Sequence, residues 1–157
     1  MTHRHVLPRL LSSALCAAVS LTAVAPRAAL AQTPVITVHD AWARQPMGGR
    51  NMTGVFVVVE NAGATPRAIV SAATDAAEKV ELHEMKNEGG MMRMSPVKQI
   101  EVPARGKVEL KPGSFHVMLF GIKGKPAAGD TMNLTLTFDD GTTVTTAAQF
   151  RRPEGMK

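Results

Sequence analysis

The chain has 157 residues, 45% of them apolar and 20% charged, with a formal net charge of +5. That is enough for one domain with a packed core. Aromatic residues make up only 4%, and no Lys/Arg block stands outside Arg151-Arg152, so a nucleic-acid surface has little to be built from.

The first thirty-one residues read as a leader. Met1–Arg9 carries Arg4 and Arg9 and no acid, Leu10–Ala25 is an apolar run, and Ala29-Leu30-Ala31 supplies small residues for a signal peptidase. This three-part pattern predicts a signal peptide over residues 1–31 and a mature domain over 32–157, starting at Gln32. The run is shorter than the roughly 20 apolar residues of a spanning helix, and Pro26 and Arg27 interrupt it, so no stable membrane insertion is expected after cleavage. Losing Arg4, Arg9 and Arg27 leaves 15 basic residues against 13 acidic ones, a mature charge of +2. Cys16, the only cysteine, lies in the apolar run behind Leu15. Leu15 is too large for a lipoprotein signal. The mature domain therefore has no cysteine, which excludes thiol redox chemistry, Cys-ligated zinc and the thiolate of a blue-copper site.

Beyond the leader, short β-prone runs alternate with turn residues. Strands are expected at Val35–His39, Thr53–Glu60, Arg67–Ala72, Glu78–Met85, Met91–Ile100, Lys107–Leu110, Phe115–Ile122, Thr131–Phe138 and Thr142–Phe150. Their spacing predicts an all-β sandwich or barrel. Ala-rich Ser71–Ala77 could hold one helical turn. Thr131–Phe138 alternates, with Met132, Leu134, Leu136 and Phe138 on one face and polar residues on the other, as a half-buried strand does. Asp140-Gly141 predicts a hairpin joining the last two strands.

Chemistry concentrates in Glu81–Met94, which holds His83, Met85, Met91, Met92 and Met94, and in Phe115-His116-Val117-Met118. Residues two apart on a strand share a face. With Val117 and Leu119 inward, His116 and Met118 face the other way; with Val80 and Leu82 inward, so do Glu81, His83 and Met85. If Glu88-Gly89 is the hairpin tip, Met85 opposes Met92, which it is expected to pack against, a supporting thioether being the alternative, and His83 opposes Met94. A different loop length would make Met92 the rival of Met94. Imidazoles and thioethers suit Cu(I), and hard ions prefer oxygen; a thioether also binds without losing a proton. Met47 and Met52 are read as loop packing, with lining of the site as the alternative, His39 as surface, and Trp42 as an anchor beneath a loop. Glu84 follows His83, but Asn87 stands where a zincin needs histidine, and no Gly-x-Ser-x-Gly or P-loop occurs.

Ten residues separate His83 from Met94, twenty-one separate Met94 from His116, and one separates His116 from Met118. In this His-x10-Met-x21-His-x-Met spacing the chain resembles the periplasmic PCu(A)C-type copper chaperones. The likeness extends to Asp40-Ala41-Trp42-Ala43-Arg44, Val59-Glu60-Asn61, Val80–Glu84, Gly90–Met94 and Leu110–Leu119. The resemblance implies a single cupredoxin-like Greek-key β-sandwich that is not an enzyme and binds one Cu(I) through His83, Met94, His116 and Met118. It implies a periplasmic metallochaperone that delivers copper towards the CuA centre of cytochrome c oxidase, with the apo CuA domain and a Sco-type protein as partners. A monomer is expected. Some members carry a His- and Met-rich tail; here Arg151–Lys157 has only Met156, so a second Cu(II) site is not expected there. Two other readings remain from the residues alone. One is a metal-free interaction module using the methionine patch; the other is an electron-transfer cupredoxin, disfavoured by the missing cysteine.

Overall fold

A computed structural model describes residues 35–152; the signal peptide expected over residues 1–31 and Met156 lie outside them. Ten strands follow one another: β1 (Ile36–Arg44), β2 (Met52–Asn61), β3 (Arg67–Ala73), β4 (Ala77–Glu88), β5 (Met91–Pro96), β6 (Ile100–Val102), β7 (Gly106–Leu110), β8 (His116–Ile122), β9 (Thr131–Phe138) and β10 (Thr143–Arg151). No helix occurs among the described residues. The hydrogen-bonded order is β5-β4-β8-β2-β1-β10-β9-β3-β6, with β7 also on β2.

Two strands turn this single ladder into a sandwich. β2 pairs with β8 through Met52–Val55 and then with β7 through Val57–Asn61. β1 shifts register between His39 and Trp42, where Asp40 sits at a φ of 52°. Such bulges bend a strand from one sheet towards the other. The enclosed core includes Val55, Val57, Val59, Ile69, Ile100, Leu119, Leu134, Leu136 and Phe138. Each such side chain contributes roughly 1.5–3 kcal/mol on leaving water.

The expected alternation holds in β9, where Met132, Leu134, Leu136 and Phe138 are all buried. The Asp140-Gly141 hairpin also forms, pairing Thr143 with Thr137 and Gln149 with Thr131. Three expectations need correction. The Met91–Ile100 strand is two strands: Pro96 cannot donate to a ladder, and beyond it the chain crosses to pair β6 with β3. Ser71–Ala77 has no helical turn, because Ser71–Ala73 is held in register against Thr137–Thr135 and pairing outweighs the propensity of its alanines. β1 runs five residues past His39 because the bulge at Asp40 lets it resume pairing at Trp42.

On the exposed side of β1, His39 meets Asp40 at 2.9 Å and Glu60 at 3.3 Å. Hydrogen bonding to Asp40, then to Glu60, raises its pKa. A raised pKa in the folded state stabilises the fold fully below the unfolded value, and this contribution disappears as pH rises through the folded one.

Candidate metal centre

The face of the β4–β8–β2 sheet turned away from the core can be laid out from its register. Gly54 and Met52 of β2 lie beside Met118 and Phe120 of β8, and the Phe56 ring lies 6.3 Å from the His116 ring, centroid to centroid. β8 in turn lies beside His83, Glu81 and Lys79 of β4. Each set follows the two-residue repeat of a strand. β5 then adds Met94, directly opposite Met85.

The structure brings three of the four expected residues into one cleft of about 1020 Å³: Met94, His116 and Met118. Met94 Sδ lies 3.1 Å from His116 Nε2, although its strand is two positions away from β8. His83 does not line the cleft. It stands next to His116, its register partner, with ring centroids 5.9 Å apart. The face is also less open than its alternation implies. His83, His116 and Met118 are only 5–8% exposed, whereas Met94 is 45% exposed. An ion would be approached from the Met94 side.

The hairpin register differs from the expected one. The tip is Gly89-Gly90, so Met85 opposes Met94 and His83 opposes Pro96. Both glycines have positive φ, 61° and 84°, as a two-residue primed turn requires. The displacement is two residues, so Met94 stays on the face that carries His83.

Hydrogen bonds fix which ring nitrogen of each histidine is free. His116 Nδ1 donates to the Ser114 carbonyl at 3.0 Å, leaving the Nε2 lone pair aimed at Met94. Burial lowers the His116 pKa; the Ser114 bond opposes this, while the electrostatic influence of the neighbouring His83 and Arg44 adds to the lowering. The ring is thereby kept neutral, the form that ligates soft metals. His83 Nε2 donates to Glu81 Oε2 at 2.8 Å, and Lys79 holds the same carboxylate at 2.6 Å. Hydrogen bonding from His83 and then Lys79 lowers the Glu81 pKa, so it remains an acceptor. His83 Nδ1 is then a buried nitrogen without a partner. Buried polar atoms are rarely left so, and an unshared imidazole pair is what a metal takes. Histidine ligands commonly have their second nitrogen anchored in this way.

This layout makes a titration prediction. In the apoprotein, the His39 ring should titrate above ordinary histidine and the His116 ring below it, read from ring proton shifts in NMR. The stability signs are opposite: a depressed histidine pKa favours the fold above the unfolded value, and that contribution is lost as pH falls through the folded one.

Two participants have no role assigned from the sequence. Glu81 is the anchor of His83, and its position two residues earlier on the same face was the available signal. Gly54 is another, because a Cβ there would lie 3.2 Å from the Phe56 ring and 3.8 Å from His116 Cδ2. Phe56 cannot yield freely, being stacked 4.5 Å from Trp42. Gly54→Ala is expected to cost about 1–3 kcal/mol through overpacking, seen as a lowered Tm together with shifted His116 resonances. Trp42, expected as an anchor, is half-buried in that stack. Met85 faces Met94 rather than Met92, and Met47 and Met52 both line the cleft.

A cysteine-free β-sandwich with imidazoles and thioethers gathered on one sheet face defines a domain of the PCuAC class. The fold of the copper-bound PCuAC domain from PmoF2 matches at a TM-score of 0.65 and 22% identity, covering 76% of this chain and 95% of that one. The solution structure of CuI-DR1885 from Deinococcus radiodurans is 33% identical, with a TM-score of 0.62, covering 77% of this chain and 81% of that one. Residues 36–150 match the family described as "Putative lipoprotein LpqE-like", and the chain belongs to it. Among curated relatives, "Putative lipoprotein Lxx21020" of Leifsonia xyli subsp. xyli is 36% identical over 121 residues, 73% of this chain and 72% of that one. The all-β cupredoxin-like fold and the PCu(A)C resemblance are thus borne out.

Proposed function

We propose that the domain is a Cu(I) carrier that holds one ion through His83, Met94, His116 and Met118. The observation that carries this reading is the 3.1 Å approach of Met94 Sδ to the free nitrogen of His116, from strands twenty-two residues apart in sequence. The donors suit a soft monovalent ion: two neutral imidazoles and two neutral thioethers. No group of three or more His, Cys, Asp or Glu able to hold a metal occurs among the described residues, so a hard ion has no comparable site there. The copper named in the two structural relatives supports the same cargo. Copper is cargo here rather than a catalytic group, and we read the protein as a carrier rather than an enzyme.

Anaerobic titration of Cu(I) into the mature protein tests the reading. A one-to-one complex is expected, and its absence overturns it. Delivery to a CuA centre, alone or with a Sco-type protein, rests on the family resemblance. It is tested by mixing the loaded carrier with an apo CuA domain and watching for the acceptor's colour. The leader pattern and the lipoprotein relatives favour a location outside the cytoplasm. With Leu15 before Cys16, cleavage after Ala31 is the processing we propose, and the mass of the mature protein tests it. A metal-free interaction surface is the second reading. It is favoured by Met91 and Met92, 62% and 54% exposed near the hairpin tip, and it predicts no uptake of Cu(I).

A further inference from the structure

Five of the ten methionines in the chain line the cleft, and the proposed ligand set uses only Met94 and Met118. The others are Met47, Met52 and Met85. Met52 pairs with Phe120, and Gly54 pairs with Met118, so Met52 is the diagonal neighbour of Met118 across the β2–β8 ladder. Diagonal neighbours lie within reach of long side chains. Gly54, between Met52 and Phe56 on that face, contributes no side chain to block the approach. Met85 is the direct cross-strand partner of Met94. Met47 lines the cleft from the β1–β2 loop, where Arg50 N donates to the Met47 carbonyl at 3.3 Å and Gly48 and Gly49 have φ values of 64° and 74°. Met47 and Met52 are each 45% exposed, so packing alone does not account for them. Water covers half of each side chain, and both open into the same cleft as the buried site.

We propose that Met47, Met52 and Met85 form an exchange port, an outer thioether site that a Cu(I) ion occupies while entering or leaving the buried set. This rests on the carrier reading above. The ion leaves by stepwise substitution: its bonds to Met118 and Met94 sulfur break as bonds to Met52 and Met85 sulfur form, both imidazole bonds then break, and Met47 sulfur takes a third place. The ion thus ends on three thioethers, with one position open to the incoming ligand. No electron moves and no proton is released, because a thioether is neutral both free and bound. The port answers a difficulty of the inner site, whose His83, His116 and Met118 are nearly closed to solvent. An external ligand can touch that ion only on the Met94 side, whereas an ion on Met52 or Met47 is open to attack. The cleft also carries Arg44 and Arg50 with no carboxylate in its lining. Neither arginine forms an ion pair among the described residues. An anionic incoming ligand is therefore favoured at the port over a cationic one.

Ag(I), a soft monovalent ion without redox chemistry, is the probe, with methionine methyl groups observed by 13C NMR. The first equivalent should move the Met94 and Met118 methyls in slow exchange. Further ion should then shift Met47, Met52 and Met85 in fast exchange. In Met47→Leu/Met52→Leu, which keeps the apolar bulk and removes two sulfurs, the first equivalent should bind with unchanged affinity. Transfer of Cu(I) from this variant to the anionic chelator bicinchoninate should slow about fivefold, equivalent to roughly 1 kcal/mol of barrier. Met85 is kept in this variant so that Met94 is undisturbed. If the first equivalent binds normally but the Met47 and Met52 methyls never respond, and transfer runs at the wild-type rate, the port is refuted and the carrier reading stands. If wild-type protein moves no methyl at all, both fall together.

Discussion

His116→Ala should abolish tight one-to-one Cu(I) binding, reducing the affinity by more than the roughly 10–100-fold typical of losing a supporting partner alone. The imidazole supplies the lone pair that meets Met94, and no other nitrogen is placed within that contact. It is also the residue through which the two halves of the site touch, since His83 lies beside it and Met94 reaches over to it. Competition against a chromophoric Cu(I) chelator without oxygen gives the measurement. Met94→Leu is the companion variant. At 45% exposure it should alter stability by only about 0.5 kcal/mol, so its loss of affinity cannot be attributed to misfolding. Because the two residues meet, the double variant should lose less than the sum of the single losses. Met92→Leu should bind as the wild type does: Met92 opposes Asn87 on the hairpin and does not line the cleft. Equal losses in the Met92 and Met94 variants would overturn the assignment.

The contrast between Met92 and Met94 shows what could be read from the chain and what could not. Strand alternation put His83, Met85, His116 and Met118 on a common face, and the register confirms that placement. Alternation depends only on the sequence around each residue, so it survives without knowledge of the fold. Register does not. With Glu88-Gly89 as the tip, His83 would oppose Met94; the real tip is one residue later. The signal was present, because a Gly-Gly pair satisfies positive φ at both turn positions and Glu-Gly at only one. The contact between Met94 and His116 was beyond any local reading, since it spans β4 and depends on β4 lying between β5 and β8. The depth of the site was hidden for the same reason. Polar alternation suggested a wet face, but the β1–β2 loop that lines the cleft and the Trp42–Phe56 stack come from elsewhere in the chain. Pro96, which cannot donate to a ladder, is the local signal that the Met91–Ile100 run ends early.

A substitution far from the metal face can separate holding the fold from holding the ion. Phe138→Ala should destabilise the protein by about 3–5 kcal/mol, a fall in Tm on the order of 10 °C or more for a chain of this size. Phe138 ends β9, is 1% exposed and packs opposite Ile69 of β3. That ladder lies on the other side of β1 and β10 from the β2–β8–β4 face. The folded variant should therefore bind the first equivalent of Cu(I) or Ag(I) as the wild type does. Binding the folded state alone adds about 2.7 kcal/mol when free ion stands at 100 times its Kd. A saturating ion should then restore most of the lost melting temperature in Phe138→Ala, and none of it once His116→Ala is added. The comparison works in both directions. Rescue that persists without His116 would place the stabilising ion elsewhere. Absence of rescue in Phe138→Ala, with wild-type protein still binding, would mean that the sandwich core and the metal face are one cooperative unit in which packing at β9 sets the geometry of the ligands.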